Sequence, residues 1–248
     1  MANLDLTVLW EDDDILVVNK PPFVVVNRAE SIKGETIQDW AERHCEEVSR
    51  RGNLYGSPRE YARDDEELFR KRSGVAHRLD KETSGCLVIA KNPRALTALL
   101  AQFKTREVKK EYLALVHGHL LPGEGTIRLP LARSRHDREK WEVKYSGKTA
   151  ETGWKVEEYY RQATLVRLFP RTGRTHQIRV HLAHLGFPIY ADEKYLTRSL
   201  VAPDRERLAH HFLHAAKIGF FDLGHAWREV SAPLPTDMAK LLLLMESD

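Results

Sequence analysis

The chain has 248 residues, 42% of them hydrophobic, which suits one large domain or two small ones and excludes a disordered chain. No apolar run approaches the roughly 20 residues needed to span a bilayer, and Leu241–Leu244 is only four leucines long. Met1–Asp5 lacks a basic region leading into an apolar one, and Cys45 and Cys86 read as small core residues of a reducing compartment, so a cytoplasmic, non-membrane protein is expected.

Two strands open the chain, Leu6–Trp10 and Ile15–Asn19, separated by the acidic turn Glu11–Asp14; Pro21-Pro22 ends the second because proline donates nothing to a ladder. Thr36 is the expected cap of a helix whose apolar face is Ile37, Trp40, Ala41, His44, Cys45 and Val48. From Arg50 to Arg72, twelve of twenty-three residues are charged, which reads as a poorly ordered surface insertion. A buried strand is expected over Cys86–Ala90. Asn92-Pro93 then starts a helix with Leu96, Leu99, Leu100 and Phe103 on its buried stripe.

Strands follow at Glu111–Val116, Thr126–Leu129, Trp141–Tyr145, Trp154–Tyr160 and Thr164–Phe169. Thr175 reads as the cap of a helix reaching Leu185, with Gly186 as its stop. A strand at Phe212–Phe221 and a helix at about Thr236–Met245 close the chain. This order predicts an α+β fold, a largely antiparallel sheet with flanking helices, in a single domain over residues 1–248.

The net charge of +3 hides a strong bias. Lys91–Lys148 carries thirteen Lys/Arg against six Asp/Glu, and Arg161–Leu185 has five arginines and no acid. A basic region on an otherwise acidic chain is the footprint of a polyanion binder.

Three segments could carry chemistry. In His77-Arg78-Leu79-Asp80-Lys81-Glu82-Thr83-Ser84-Gly85, an acid flanked by cations stands at the mouth of a strand. Such a carboxylate is held ionised, although an Asx turn would use the same residue types. Gly173-Arg174-Thr175-His176-Gln177-Ile178-Arg179-Val180-His181 places an arginine one turn into the expected helix, able to make a bidentate pair with a carboxylate. In Lys110-Glu111-Tyr112-Leu113-Ala114-Leu115-Val116, Tyr112 alternates in phase with Ala114 and Val116. A tyrosine in that position is also an ordinary core residue.

These segments resemble the motifs of the RluA-type pseudouridine synthases, and with Asn19-Lys20-Pro21, Leu213-His214-Ala215-Ala216 and Ala232-Pro233-Leu234-Pro235 the resemblance runs from about Leu16 to Met238. It implies that Asp80 is the catalytic carboxylate, that Arg179 pairs with it, and that Tyr112 stacks on the target base and is a candidate for moving its proton. Arg78, His77, Arg174 and His176 are the expected substrate-binding residues. Pro22-Phe23 replaces the family's Ala-Gly pair, so no contact is carried over from that block. The chain is expected to start at the catalytic domain, without the small N-terminal RNA-binding domain of several relatives.

The implied reaction isomerises a uridine of ribosomal or transfer RNA with no cofactor. The sequence has no phosphate-cradling loop, no dinucleotide fingerprint and no two-His, one-Glu zinc motif, so neither metal nor nucleotide cofactor is expected. A monomer is expected, with RNA as its partner. The alternative is a catalytically silent RNA-binding or remodelling protein on the same fold. A hydrolase using Asp80 with His77 would lack a second positioned carboxylate or a Ser–His pair.

Overall fold

A computed structural model describes residues 4–51 and 63–246. In chain order the elements are β1 (Thr7–Glu11), β2 (Ile15–Lys20), α1 (Ile37–Arg51), α2 (Arg63–Arg72), β3 (Ser84–Ala90) and α3 (Pro93–Thr105). Then come β4 (Lys109–His117), β5 (Glu124–Arg128), β6 (Leu131–Arg133), β7 (Trp141–Val143), β8 (Glu151–Tyr160) and β9 (Ala163–Pro170). The last are α4 (Gln177–His184), α5 (Arg198–Arg207), β10 (Leu213–Phe221), β11 (Trp227–Ser231) and α6 (Thr236–Leu243). The fold is α+β, and β1–β2, β2–β3, β4–β9, β5–β8, β8–β9 and β10–β11 all pair antiparallel.

The chain forms two compact units: residues up to Val108 with Lys217–Ala232, and Lys109–Ala216 with the residues from Pro233 onward. One crossing falls inside β10, a continuous strand, so no linker marks it in the sequence.

In the first unit the strand order is β1-β2-β3-β10, with β11 on β10. Strand β3 is buried along its whole length, and so is nearly all of β2. Their apolar side chains meet Leu96 and Leu99 of α3, together with Ile218 and Phe220. Truncating one such leucine to alanine typically costs about 2–5 kcal/mol.

Thr36 caps α1 as expected. Its Oγ1 accepts from Asp39 N–H at 3.3 Å, while Asp39 accepts from Thr36 N–H at 2.8 Å, a reciprocal box at the helix start. Asn92 accepts from Ala95 N–H at 2.9 Å and caps α3, with Pro93 in its first turn. The expected poorly ordered insertion is corrected at both ends: Arg50 and Arg51 belong to α1, and its last ten residues are helical. Residues 63–72 are α2, with Asp64, Asp65 and Glu66 in its first turn and Arg70, Lys71 and Arg72 in its last, complementing the helix dipole at both ends. Residues 52–62 and the Val48 side chain lie outside the described residues.

In the second unit the order is β10-β4-β9-β8-β5, with β6–β7 a separate ribbon. Ala114, Val116, Val166, Leu168, Phe212 and Leu182 centre its core, closed by Met238 and Leu241 of α6. Besides α2, three elements were not expected. Strand β6 is three residues long, β11 buries only Val230, and α5 contains Pro203. Each lacks the periodicity by which an element is read from sequence.

Candidate active site

In the first unit the candidate residues His77, Arg78 and Asp80 lie on the segment from Gly74 to Thr83, which leads from α2 into β3. Ser73 and Gly74 both have positive φ, 47° and 74°, and reverse the chain out of the helix. A Cβ at Gly74 would lie 2.1 Å from the Ala90 carbonyl oxygen, so only glycine fits. The chain then runs antiparallel to β3: Ala90 N–H donates to Gly74 O at 2.8 Å, and Ala76 N–H to Val88 O at 3.3 Å.

His77 continues this pairing with its side chain. Its Nε2 accepts from Val88 N–H at 3.0 Å while the ring lies 5.0 Å from that of Phe103. That nitrogen therefore serves as an acceptor that fixes the ring against β3. Arg78 is exposed, Leu79 is buried, and Thr83 N–H donates to Asp80 O at 3.1 Å to close the turn. Asp80 is thus half-buried at the tip of a short loop pinned on both sides to a fully buried strand.

Lys20 adds a support that the sequence reading left without a role. Its side chain is fully buried, and its ammonium donates to Pro21 O, Val24 O and Lys81 O at 2.8, 2.8 and 2.9 Å. Three donors meet three carbonyls, and the third belongs to the residue after Asp80. Burial pushes Lys20 down to about 7, against the attraction of the Asp80 carboxylate. The Asn-Lys-Pro block was the available signal, but a lysine in a sequence does not show that its end is buried.

In the second unit the candidate residues lie on β4, the turn after β9, and α4. Tyr112 opposes Leu168 of β9 and is half-buried against the core. Lys110, two residues earlier, is pushed down to about 8 by burial and points to Thr172 O at 3.5 Å.

Helix α4 begins at Gln177, one residue later than expected. Its cap is His176, whose φ of 55° is left-handed, and not Thr175. Gly186, with φ of 88°, lies just beyond its end, as expected.

Gln177 explains this start. Its carbonyl accepts from Thr172 Oγ1 at 2.6 Å and Arg174 N–H at 3.0 Å, while its amide donates to Glu151 O and Thr152 Oγ1, both at 2.9 Å. One buried side chain therefore ties the turn to β8. His181, fully buried, bonds Thr152 Oγ1 at 2.9 Å and Leu129 O at 3.0 Å, and burial holds it below the ordinary histidine range.

Arg179 is buried and forms a fork with Asp192. Its Nε donates to Oδ2 and one terminal nitrogen to Oδ1, each at 2.7 Å, and its guanidinium carbon lies 5.1 Å from the centre of the Tyr195 ring. Burial alone would raise the Asp192 carboxyl. The Arg179 bonds and charge outweigh that and, with His211 nearby and the Lys194 amide, hold it below the usual carboxylate range.

Tyr195 also links His176. Its hydroxyl accepts from Trp141 N–H at 2.9 Å and lies 2.8 Å from His176 Nδ1. Arg174 donates from Nε to Thr149 O at 3.2 Å. Asp192 and Tyr195, missed in the sequence, lie in an aperiodic stretch between α4 and α5 with no residue pattern to mark them.

The first unit offers a carboxylate on a pinned loop, and the second a half-buried tyrosine and a guanidinium oriented by its fork with Asp192. Residues 14–184 match the RNA pseudouridylate synthase family. The chain is 37% identical to an uncharacterized RNA pseudouridine synthase, YlyB, of Bacillus subtilis over 96% of its own length and 72% of that protein's. It is 36% identical to ribosomal large subunit pseudouridine synthase D of Xanthomonas campestris, over 99% of this chain and 71% of that one. Among solved structures, human RNA pseudouridylate synthase domain containing 4 superimposes with a TM-score of 0.70 at 22% identity, covering 95% of this chain and 91% of that one. Human RNA pseudouridylate synthase domain containing 1 does so with 0.68 at 25%, covering 98% and 97%.

Proposed function

This chain belongs to the RNA pseudouridylate synthase family and is an isomerase, and we propose that Asp80 is its catalytic carboxylate and ribosomal RNA its substrate. The observation that carries the first proposal is the Asp80 loop: an intact motif whose backbone and flanking side chains are fastened to β3 and to the Lys20 ammonium. A binding protein has no need of a carboxylate held in this way.

The reaction breaks the bond from ribose to a uracil nitrogen, turns the ring, and rejoins it through carbon. A uracil inside folded RNA is out of reach until it is flipped from its stack. Asp80 then acts on the ribose, as nucleophile or as base. Tyr112 stacks on the freed ring and helps remove the proton at the new carbon bond.

Arg179 keeps Asp80 ionised and aimed, with Asp192 and Tyr195 fixing the plane of its guanidinium. Arg78 fills the gap left by the flipped base or holds a phosphate. His176 and Arg174 line the RNA-facing turn before α4, and His77, fixed against β3 by its Nε2, contacts the RNA beside Arg78. The basic stretches supply most of the affinity for RNA.

Ribosomal RNA is favoured over transfer RNA because several similar proteins carry the name ribosomal large subunit pseudouridine synthase D. The test is to incubate the purified protein with large-subunit ribosomal RNA and, separately, transfer RNA transcripts, then map pseudouridine and measure mass. The expected result is one modified uridine in the ribosomal transcript at unchanged mass. Modification confined to transfer RNA would overturn the substrate assignment.

A further inference from the structure

The turn after α2 builds a cationic cavity of about 460 Å³ in the first unit. Arg28, Gln38, Lys71, Arg72, His77 and Arg78 line it, and no carboxylate is among its lining residues. The left-handed pair Ser73-Gly74 creates it, because it folds the end of α2 back beside the His77–Arg78 segment.

The frame is rigid. Gln38 accepts from Arg28 N–H at 2.7 Å and donates to Lys71 O at 3.2 Å. Arg28 is itself committed: Nε donates to Asp39 at 2.6 Å, one terminal nitrogen to Glu42, and the other to Ser73 Oγ at 3.3 Å.

The remaining cations differ. Of the three basic residues in the last turn of α2, Arg70 reaches Glu66 at 3.7 Å. Among the described residues Lys71 and Arg72 have no ion-pair partner, and neither does Arg78 on the facing segment. Compensation of the helix dipole accounts for basic residues at the end of α2. It does not account for Arg78, on another segment, facing the same space.

Three uncompensated cations in a framed, carboxylate-free cavity suit a phosphate. Arg78 is two residues from Asp80. We propose that Lys71, Arg72 and Arg78 form a subsite for a backbone phosphate of the RNA substrate, beside the nucleotide that reacts. The subsite rests on the RNA reading of the function, and it adds α2 to the RNA-binding surface.

The test uses the full chain and an in vitro transcript of large-subunit ribosomal RNA, comparing Lys71→Gln/Arg72→Gln with Arg70→Gln. Glutamine is a good helix former, so α2 is kept, and unchanged thermal melting checks this. In the double variant we expect RNA binding weakened about tenfold and the log–log salt slope reduced by about one or two units. The single-turnover rate at saturating enzyme should stay at the parent value, and Arg70→Gln should bind as the parent does.

Parent-like binding and slope in the double variant would overturn the subsite, as would a fallen saturating rate with binding intact. Tight, micromolar binding of inorganic phosphate to the RNA-free protein, lost in the double variant, would assign the cavity to a free anion instead. Because the readout is binding, it stands even if Asp80 proves not to be the catalytic acid.

Discussion

At the residue scale, what distinguishes this site is how few polar groups are left to find their own orientation. Arg179 and Asp192 are both buried and share two hydrogen bonds of 2.7 Å, so each is costly without the other. Asp192→Asn should destabilise the protein by about 1–3 kcal/mol, because it removes the charged acceptor of two buried hydrogen bonds from Arg179. Chemical denaturation would check this, and a loss below 1 kcal/mol would mean that water or another acid reaches Arg179. Lys20 gives a pH signature. Its folded value, about 7, lies below the ordinary 10.5, so the unfolded chain binds more protons between those values and stability from this group rises with pH across that window. The stability of the parent minus that of Lys20→Met should therefore increase from pH 7 towards pH 10. A flat difference would show that the three carbonyls and Asp80 keep the lysine protonated throughout. Asp80, Tyr112 and Arg179 were candidates from the sequence because residue type and motif mark them. Lys20, Gln177 and Asp192 were not, since their roles lie in partners that only folding supplies.

At the scale of elements, the site is carried on departures from regular structure. The Gly74–His77 segment pairs with β3 through backbone and then through an imidazole, and Gly74 allows the approach. Gly74→Ala would force a Cβ to 2.1 Å from Ala90 O while holding a positive φ. We expect a loss of several kcal/mol in stability, of the order seen for a strained backbone with a lost pairing bond, and a lower rate before the fold is lost. An alanine variant with parent stability would show that the loop is not fixed by this contact. The helices with caps and apolar stripes, α1 and α3, were readable in the sequence. Helix α4 was readable at its Gly186 end but not at its start, because Thr175 is a good cap by type while the left-handed turn at His176 and the buried Gln177 amide decide the boundary. Helix α2 was missed because none of its residues is buried, so no hydrophobic period marks it.

At the scale of the whole molecule, the uneven charge is the property that matches a polyanionic substrate: +3 overall, yet strongly basic from Lys91 to Lys148. RNA affinity should fall steeply with salt, by roughly 0.7 to 0.9 log units of slope for each phosphate neutralised. Reversing Arg133, Arg135 and Lys140 should flatten that slope without changing which uridine is modified. A shallow slope in the parent would mean that these strands do not grip RNA. The family and the α+β class were legible from sequence because the motifs span nearly the whole chain. The division into two units was not, because one of the three points at which the chain passes between them lies inside the continuous strand β10. The claim on which the functional account depends is that Asp80 performs the chemistry, and the most direct measurement is pseudouridine formation by purified Asp80→Asn. The account predicts no product at saturating enzyme, with RNA affinity within a few-fold of the parent. Measurable turnover by the asparagine variant, shown by protein mass to be free of deamidation, would contradict it.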